Sequence, residues 1–212
     1  IETLYNTLQN DHPSHPLLMV GFNRRFAPQV QKIKELLNGV SGPKYFVMTV
    51  NAGAILAEHW TQDPKIGGGR VIGEACHFID LLRFLAGVSV ENSQRIAMES
   101  LSSDTVTLQL SFADGSIGTI HYLSNGNKAF PKERLEVFTS GRVLQLDNFR
   151  SLKGFGWPGF NSLKTCSQNK GQVECVKEFI TSVKNDSDSP IPQNEVFEVA
   201  RVSLAIADQL KS

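Results

Sequence analysis

The sequence predicts an α+β fold, an open and mostly antiparallel sheet with helices laid on one of its faces. Three observations carry that prediction. Helix-period segments enclose a single strand in the first part of the chain, the apolar period drops to two across the middle, and it returns to the helical value at the end.

The chain opens on a helix-like run with Ile1, Leu4, Tyr5 and Leu8 in phase, followed by the proline-punctuated loop DHPSHP. LLMVG, closed by Gly21, reads as a buried strand of the parallel-sheet kind. After the polar FNRRFAP, the segment PQVQKIKELLNG has Pro28 at a helix start, Val30, Ile33, Leu36 and Leu37 on one face, and Asn38-Gly39 as its stop. KYFVMTVNAG, rich in β-branched and aromatic residues, predicts a strand that leads into a loop holding HWTQDP and three glycines. From there a helix runs to Gly87 with Val71, Ala75, Phe78, Leu82 and Leu85 facing inward. QRIAMESL, DTVTLQLSF and SIGTIHYLS read as strands, the last two joined through Ala-Asp-Gly-Ser. RLEVFT and RVLQLDN meet at Ser140-Gly141, and FRSLKGFG adds a further strand. Two helices close the chain: QVECVKEFITSVKN, then QNEVFEVARVSLAIADQLKS with Asn194 as its cap. Strands that alternate as Val106, Leu108 and Leu110 do present one apolar face, and the sheet face away from the helices needs its own cover.

At 212 residues the chain is long enough for one domain with a self-sufficient core. Its 21 basic residues balance 21 acidic ones, so no global field draws in nucleic acid or an anionic membrane, and the expected partner is a small molecule or another protein. Three cysteines, Cys76, Cys166 and Cys175, form no C-x-x-C pair and fit a reducing, cytoplasmic location. The start at Ile, in phase with a helix already under way, suggests a piece of a longer protein.

Chemistry concentrates in GGGRVIGEACHFID, residues 67–80. Arg70, Glu74 and His77 fall at i, i+4 and i+7, one stripe turned away from the apolar face. A neutral imidazole at His77 can take a hydroxyl proton and return it, with Glu74 one turn away to orient it. Spacing alone favours the plainer account, a solvated helix face, because acid and base pairs are common there. A zinc site from His59, Glu74 and His77 matches no zinc spacing, and a Cys76–His77 nucleophile pair is disfavoured by the 100° between neighbouring helix positions. Asn23, Arg24 and Arg25 follow a strand end, where ligands often meet loops, and arginine suits carboxylate or phosphate; a solvated charge pair is the alternative. Trp60 and Trp157 fit either a wall for a sugar ring or buried structural aromatics.

Taken together, LLMVGFNRRFAP, the W-x-x-D-P loop, GGGRVIGEACHFIDLLRFLAG and KEFITSVKNDSDSPIP resemble, in order and spacing over nearly the whole chain, the glucose-fructose oxidoreductase, inositol dehydrogenase and MocA family (Gfo/Idh/MocA). The run GGGR-x-x-GE-x-CHF-x-D looks like a subgroup often joined to zinc-type alcohol dehydrogenase-like regions and associated with surface polysaccharide sugars. The resemblance implies a C-terminal domain of the glyceraldehyde-3-phosphate dehydrogenase-like kind, with residues 1–21 as the tail of a missing Rossmann domain and 22–212 as the substrate-binding and oligomerisation domain. It also implies NAD or NADP in the complete protein and none bound by this chain alone, which lacks G-x-G-x-x-G and the E-K-P lysine segment. Catalytic roles then fall on His77 and Glu74, substrate contacts on Asn23, Arg24, Trp60, Arg70 and Asp80, with a sugar-like substrate and a homo-oligomer built through the sheet face.

One departure stands out. The family pattern GGGxxxDxGxHxxD places its histidine on His77 and its last aspartate on Asp80, but its first aspartate falls on Gly73 and its later glycine on Ala75. Glu74, one residue on, can substitute only if the helix is rotated or its start distorted. A rival expectation follows, an interaction module that self-associates through the sheet and keeps a vestigial active site.

Overall fold

The computed structural model describes residues 2–11, 17–56, 58–62, 66–67, 69–99 and 104–209. The DHPSHP loop beyond Asp11, the Asp63-Pro64 pair and Gly68 lie outside them, as does the last turn of the chain. Helix α1 spans Glu2–Asp11, α2 Pro28–Asn38, α3 Cys76–Ala86, α4 Gln172–Asn185 and α5 Gln193–Asp208. The described residues include eight strands: β1 Tyr45–Asn51, β2 Val90–Ala97, β3 Val106–Phe112, β4 Ile117–Leu123, β5 Glu133–Thr139, β6 Arg142–Asp147, β7 Ser151–Phe155 and β8 Ser162–Lys164.

They form one sheet in the order β2-β3-β4-β1-β5-β6-β7-β8. β1 is inserted between β4, to which it runs parallel, and β5, to which it runs antiparallel; every other pairing is antiparallel. Alternation decides the faces. Phe46, Met48 and Val50 on β1, Ile120 and Tyr122 on β4, and Leu135 and Val137 on β5 are buried. Gly118 on β4 shows what lies over them, since a Cβ there would come within 2.8 Å of the Leu82 side chain of α3. All five apolar positions predicted to face inward along 71–85 are buried.

Three expectations need correction. LLMVG forms no strand among the described residues, and the segment is held from the side by Ser189 Oγ (2.9 Å) and Gln193 Nε2 (2.7 Å), both donating to the Leu18 carbonyl. Asn194 is no cap, because α5 starts one residue earlier, with Pro192 as N-cap and its carbonyl receiving the Glu195 and Val196 amides. The second strand starts at Val90 rather than Gln94, and the short β8 has too few residues to show a period. The turn at Ser140-Gly141 is as expected, both residues having positive φ (46° and 72°).

On the opposite, open face the exposed side chains of Ile117, Tyr45, Phe138 and Phe155 sit along one cross-strand row, linked through Val143. Ile117, Tyr45 and Phe138 border a shallow cleft of about 570 Å³.

Candidate active site

The helix carrying His77 does not begin as an α-helix. Val71–Ala75 forms a π turn, and regular α3 starts only at Cys76. Such single wide turns place one extra residue in the winding and concentrate at functional sites. This is the distorted start that Glu74 needs to occupy a neighbour's place. Gly73 is exposed, and a Cβ there would meet only the Gly67 carbonyl, at 3.9 Å, so the family's aspartate position is open space. Gly67 has the opposite constraint: a Cβ would lie 2.4 Å from Thr61 Cα, so only glycine lets the loop holding Trp60 pack against the helix start.

Glu74 does not orient His77. Its carboxylate receives the Tyr122 hydroxyl in a short hydrogen bond, Lys132 Nζ at 2.6 Å and Arg70 Nη2 at 3.4 Å. Burial alone would raise this carboxyl, but the Lys132 and Tyr122 bonds hold it down at about 2. Arg70, expected on a solvated stripe, is buried: Nη1 donates to the Gly53 carbonyl (2.8 Å) and the guanidinium lies 5.0 Å above the Tyr122 ring. Lys132 comes from the loop before β5, tied to the sheet by the Asn51 amide, which donates to the Lys132 carbonyl at 2.7 Å.

His77 is half-buried, its ring edge-on to Phe22 at 5.7 Å, and its Nδ1 is enclosed without a hydrogen-bond partner. Burial and then the Arg24 charge lower its pKa to about 4, against smaller opposing effects of Glu74 and Glu133. The imidazole is therefore neutral across the physiological range and can accept a proton.

The remaining expected residues divide sharply. Arg24 is buried and donates through Nε and Nη2 to both Glu133 oxygens (3.0 and 3.1 Å), with Lys170 Nζ 2.6 Å from the same carboxylate. Asn23 Nδ2 donates to the Lys170 carbonyl at 2.7 Å. Asp80 is fully buried, gripped at both oxygens by Arg25, whose Nη1 also reaches Glu195 at 2.9 Å. Asp80 and Arg24, expected as substrate contacts, are engaged in internal ion pairs, since a desolvated charge is stable only beside its counter-ion. Trp60 stands 59% exposed beside His59, while Trp157 is structural, its indole donating to the Val143 carbonyl at 3.0 Å. Among the described residues no group of histidine, cysteine or acidic side chains could hold a metal ion. Burial raises the Cys76 thiol to about 11, which removes it as a nucleophile.

Residues 31–141, just over half of the chain, match the family model for the C-terminal alpha/beta domain of the Gfo/Idh/MocA oxidoreductases. The chain belongs to this family. Among Gfo/Idh/MocA and related proteins it is 28% identical over 153 residues to myo-inositol 2-dehydrogenase of Thermotoga maritima, an alignment taking in 63% of this chain and 42% of that one. It therefore spans less than half of that curated relative. The fold agrees with an oxidoreductase domain protein from Kribbella flavida (TM-score 0.80, 15% identity, 100% of this chain and 69% of the other). It agrees as well with the UDP-N-acetylglucosamine 3-dehydrogenase GnnA of Acidithiobacillus ferrooxidans (TM-score 0.77, 16% identity, 98% and 65%). At those identities the likeness is one of fold.

Tyr122, Lys132, Glu133 and Lys170 were not picked out from the sequence. Glu133 had a readable signal: it shares the inward parity of Leu135 and Val137, and a carboxylate on that face demands a cation.

Proposed function

We propose that this chain is the substrate-binding domain of an NAD(P)-dependent oxidoreductase that acts on a sugar, polyol or nucleotide sugar, with residues 1–21 belonging to the preceding cofactor domain. The observation that carries this reading is His77, neutral and half-open at the end of a π turn in a family of oxidoreductases. In this reading the nicotinamide, which would take the hydride, is held by the preceding cofactor domain. What these residues do is orient the hydroxylated carbon and receive its proton at His77, with Arg70 and Glu74 fixing the helix start. The run GGGR-x-x-GE-x-CHF-x-D supports the further reading of a polysaccharide-sugar subgroup joined to a zinc-type alcohol dehydrogenase-like region.

The test is His77→Ala in the complete protein. Loss of about 100-fold or more in kcat at unchanged fold is expected for a general base, and unchanged turnover would sink the reading. This chain alone should show no NAD(P)-dependent turnover.

A second reading, self-association through the sheet, is favoured by the exposed row of Ile117, Tyr45, Phe138 and Phe155. Sedimentation of the chain as a strict monomer would remove it.

A further inference from the structure

The ion-pair clusters of this domain differ in their charge balance. Below the NRRF turn, Arg25, Arg83 and Lys34 interact with Asp80, Glu195 and Glu198, three cations against three carboxylates. Around Glu74 and Glu133, the two carboxylates that act on His77, the ion pairs set four cations against two among the described residues: Arg24 and Lys170 share Glu133, and Arg70 and Lys132 share Glu74. Each carboxylate is thus over-matched by one positive charge. Three of the four cations are sealed in, with side-chain exposures of 8%, 16% and 7%, whereas Lys132 is 40% exposed. Its ammonium is the outlet of that surplus. Pinned at one point by Glu74, it has donors left over for a ligand.

We propose that the substrate of this site is an anionic sugar, bearing a carboxylate or a phosphate, and that Lys132 is the residue that reads its charge. The inference rests on the face of His77 being the substrate site. It also resolves a tension in that site. Burial, and after it the Arg24 charge, keep His77 at about 4, a weak base for a sugar hydroxyl. A bound anion offsets the field, so the acceptor is strengthened when the charged substrate arrives and left weak for a neutral one. Gly73 leaves room beside this cluster that an aspartate would fill with an opposing charge.

The experiment uses the 212-residue chain and three probes at millimolar concentration: glucose, glucuronate and glucose 6-phosphate. Histidine Cε1–H signals are followed by NMR against pH, with His77 assigned through His77→Asn. Glucuronate or glucose 6-phosphate should bind at least about tenfold more tightly than glucose, as one charge-assisted hydrogen bond implies, and should move the His77 midpoint upward. Whichever binds more tightly tells carboxylate from phosphate. Lys132→Met should abolish the preference and Lys132→Arg should keep it, both at unchanged fold by circular dichroism. Equal binding of all three probes, no binding of any, or a preference that survives Lys132→Met overturns the inference. None of those outcomes touches the proton-acceptor reading, which stands or falls on His77→Ala in the complete protein.

Discussion

The Tyr122 hydroxyl, inward-facing near the end of β4, donates to the Glu74 carboxylate in the π turn, fastening the start of the His77 helix to the centre of the sheet. Tyr122→Phe keeps the buried ring and removes only this bond. A loss of about 2 kcal/mol is expected in urea unfolding, the scale of a hydrogen bond to a charged group. The amide exchange of residues 71–76 should rise more than that of α5.

Two groups lower stability on acidification and a third opposes one of them. His77 has a folded pKa near 4, below its ordinary 6.5, so the unfolded chain binds its proton first and stability drops as pH falls from 6.5 to 4. Glu74, at about 2 against 4.5, contributes stability above pH 4.5 that is lost as pH falls towards 2. Asp80, raised to about 6 chiefly by burial, works in the opposite sense between 6 and 3.8. Urea midpoints measured against pH should therefore change little between about 6 and 4, rise on acidification over that range in His77→Asn, and lose the lower slope in Glu74→Gln.

Breaking the Arg25–Asp80 pair leaves a buried charge alone. Asp80→Asn or Arg25→Met should each cost about 3–5 kcal/mol. The double change Arg25→Met with Asp80→Leu should cost clearly less than the two single losses together, which a double-mutant cycle on unfolding free energies reads directly.

Gly171, the N-cap of α4, has φ of 80°, and a Cβ on it would lie 2.4 Å from the Asn23 carbonyl oxygen. Gly171→Ala should therefore destabilise by more than about 2 kcal/mol. It should also push the turn that carries Arg24 away from Glu133, visible as a shifted Arg24 Nε–H resonance.

If the open face self-associates, Tyr45→Lys with Phe138→Lys should yield a monomer by sedimentation at unchanged secondary structure, since both side chains already lie in solvent.

What the sequence made legible follows its periods. The inward positions of α3 and the alternation of Val106, Leu108 and Leu110 were readable because burial imposes 3.6- and two-residue spacings. The insertion of β1 between β4 and β5 was not, because a strand's pattern records which face is apolar and not which neighbour it takes. The π turn was equally silent, as the apolar spacing on either side of it reads as an ordinary helix. At the site, His77 and the gap at Gly73 were visible in one short run. The partners of Glu74 lie 48 and 58 residues away, and those of Arg24 and Arg25 as far as 109 and 170, distances over which no local rule pairs charges.

The ribbon of residues 17–22 is mostly apolar and has no described strand beside it. Prepared as a separate chain, the protein offers that ribbon as a template for any β-prone segment. A short synthetic peptide of alternating Val and Thr should compete for it, suppressing concentration-dependent turbidity during storage.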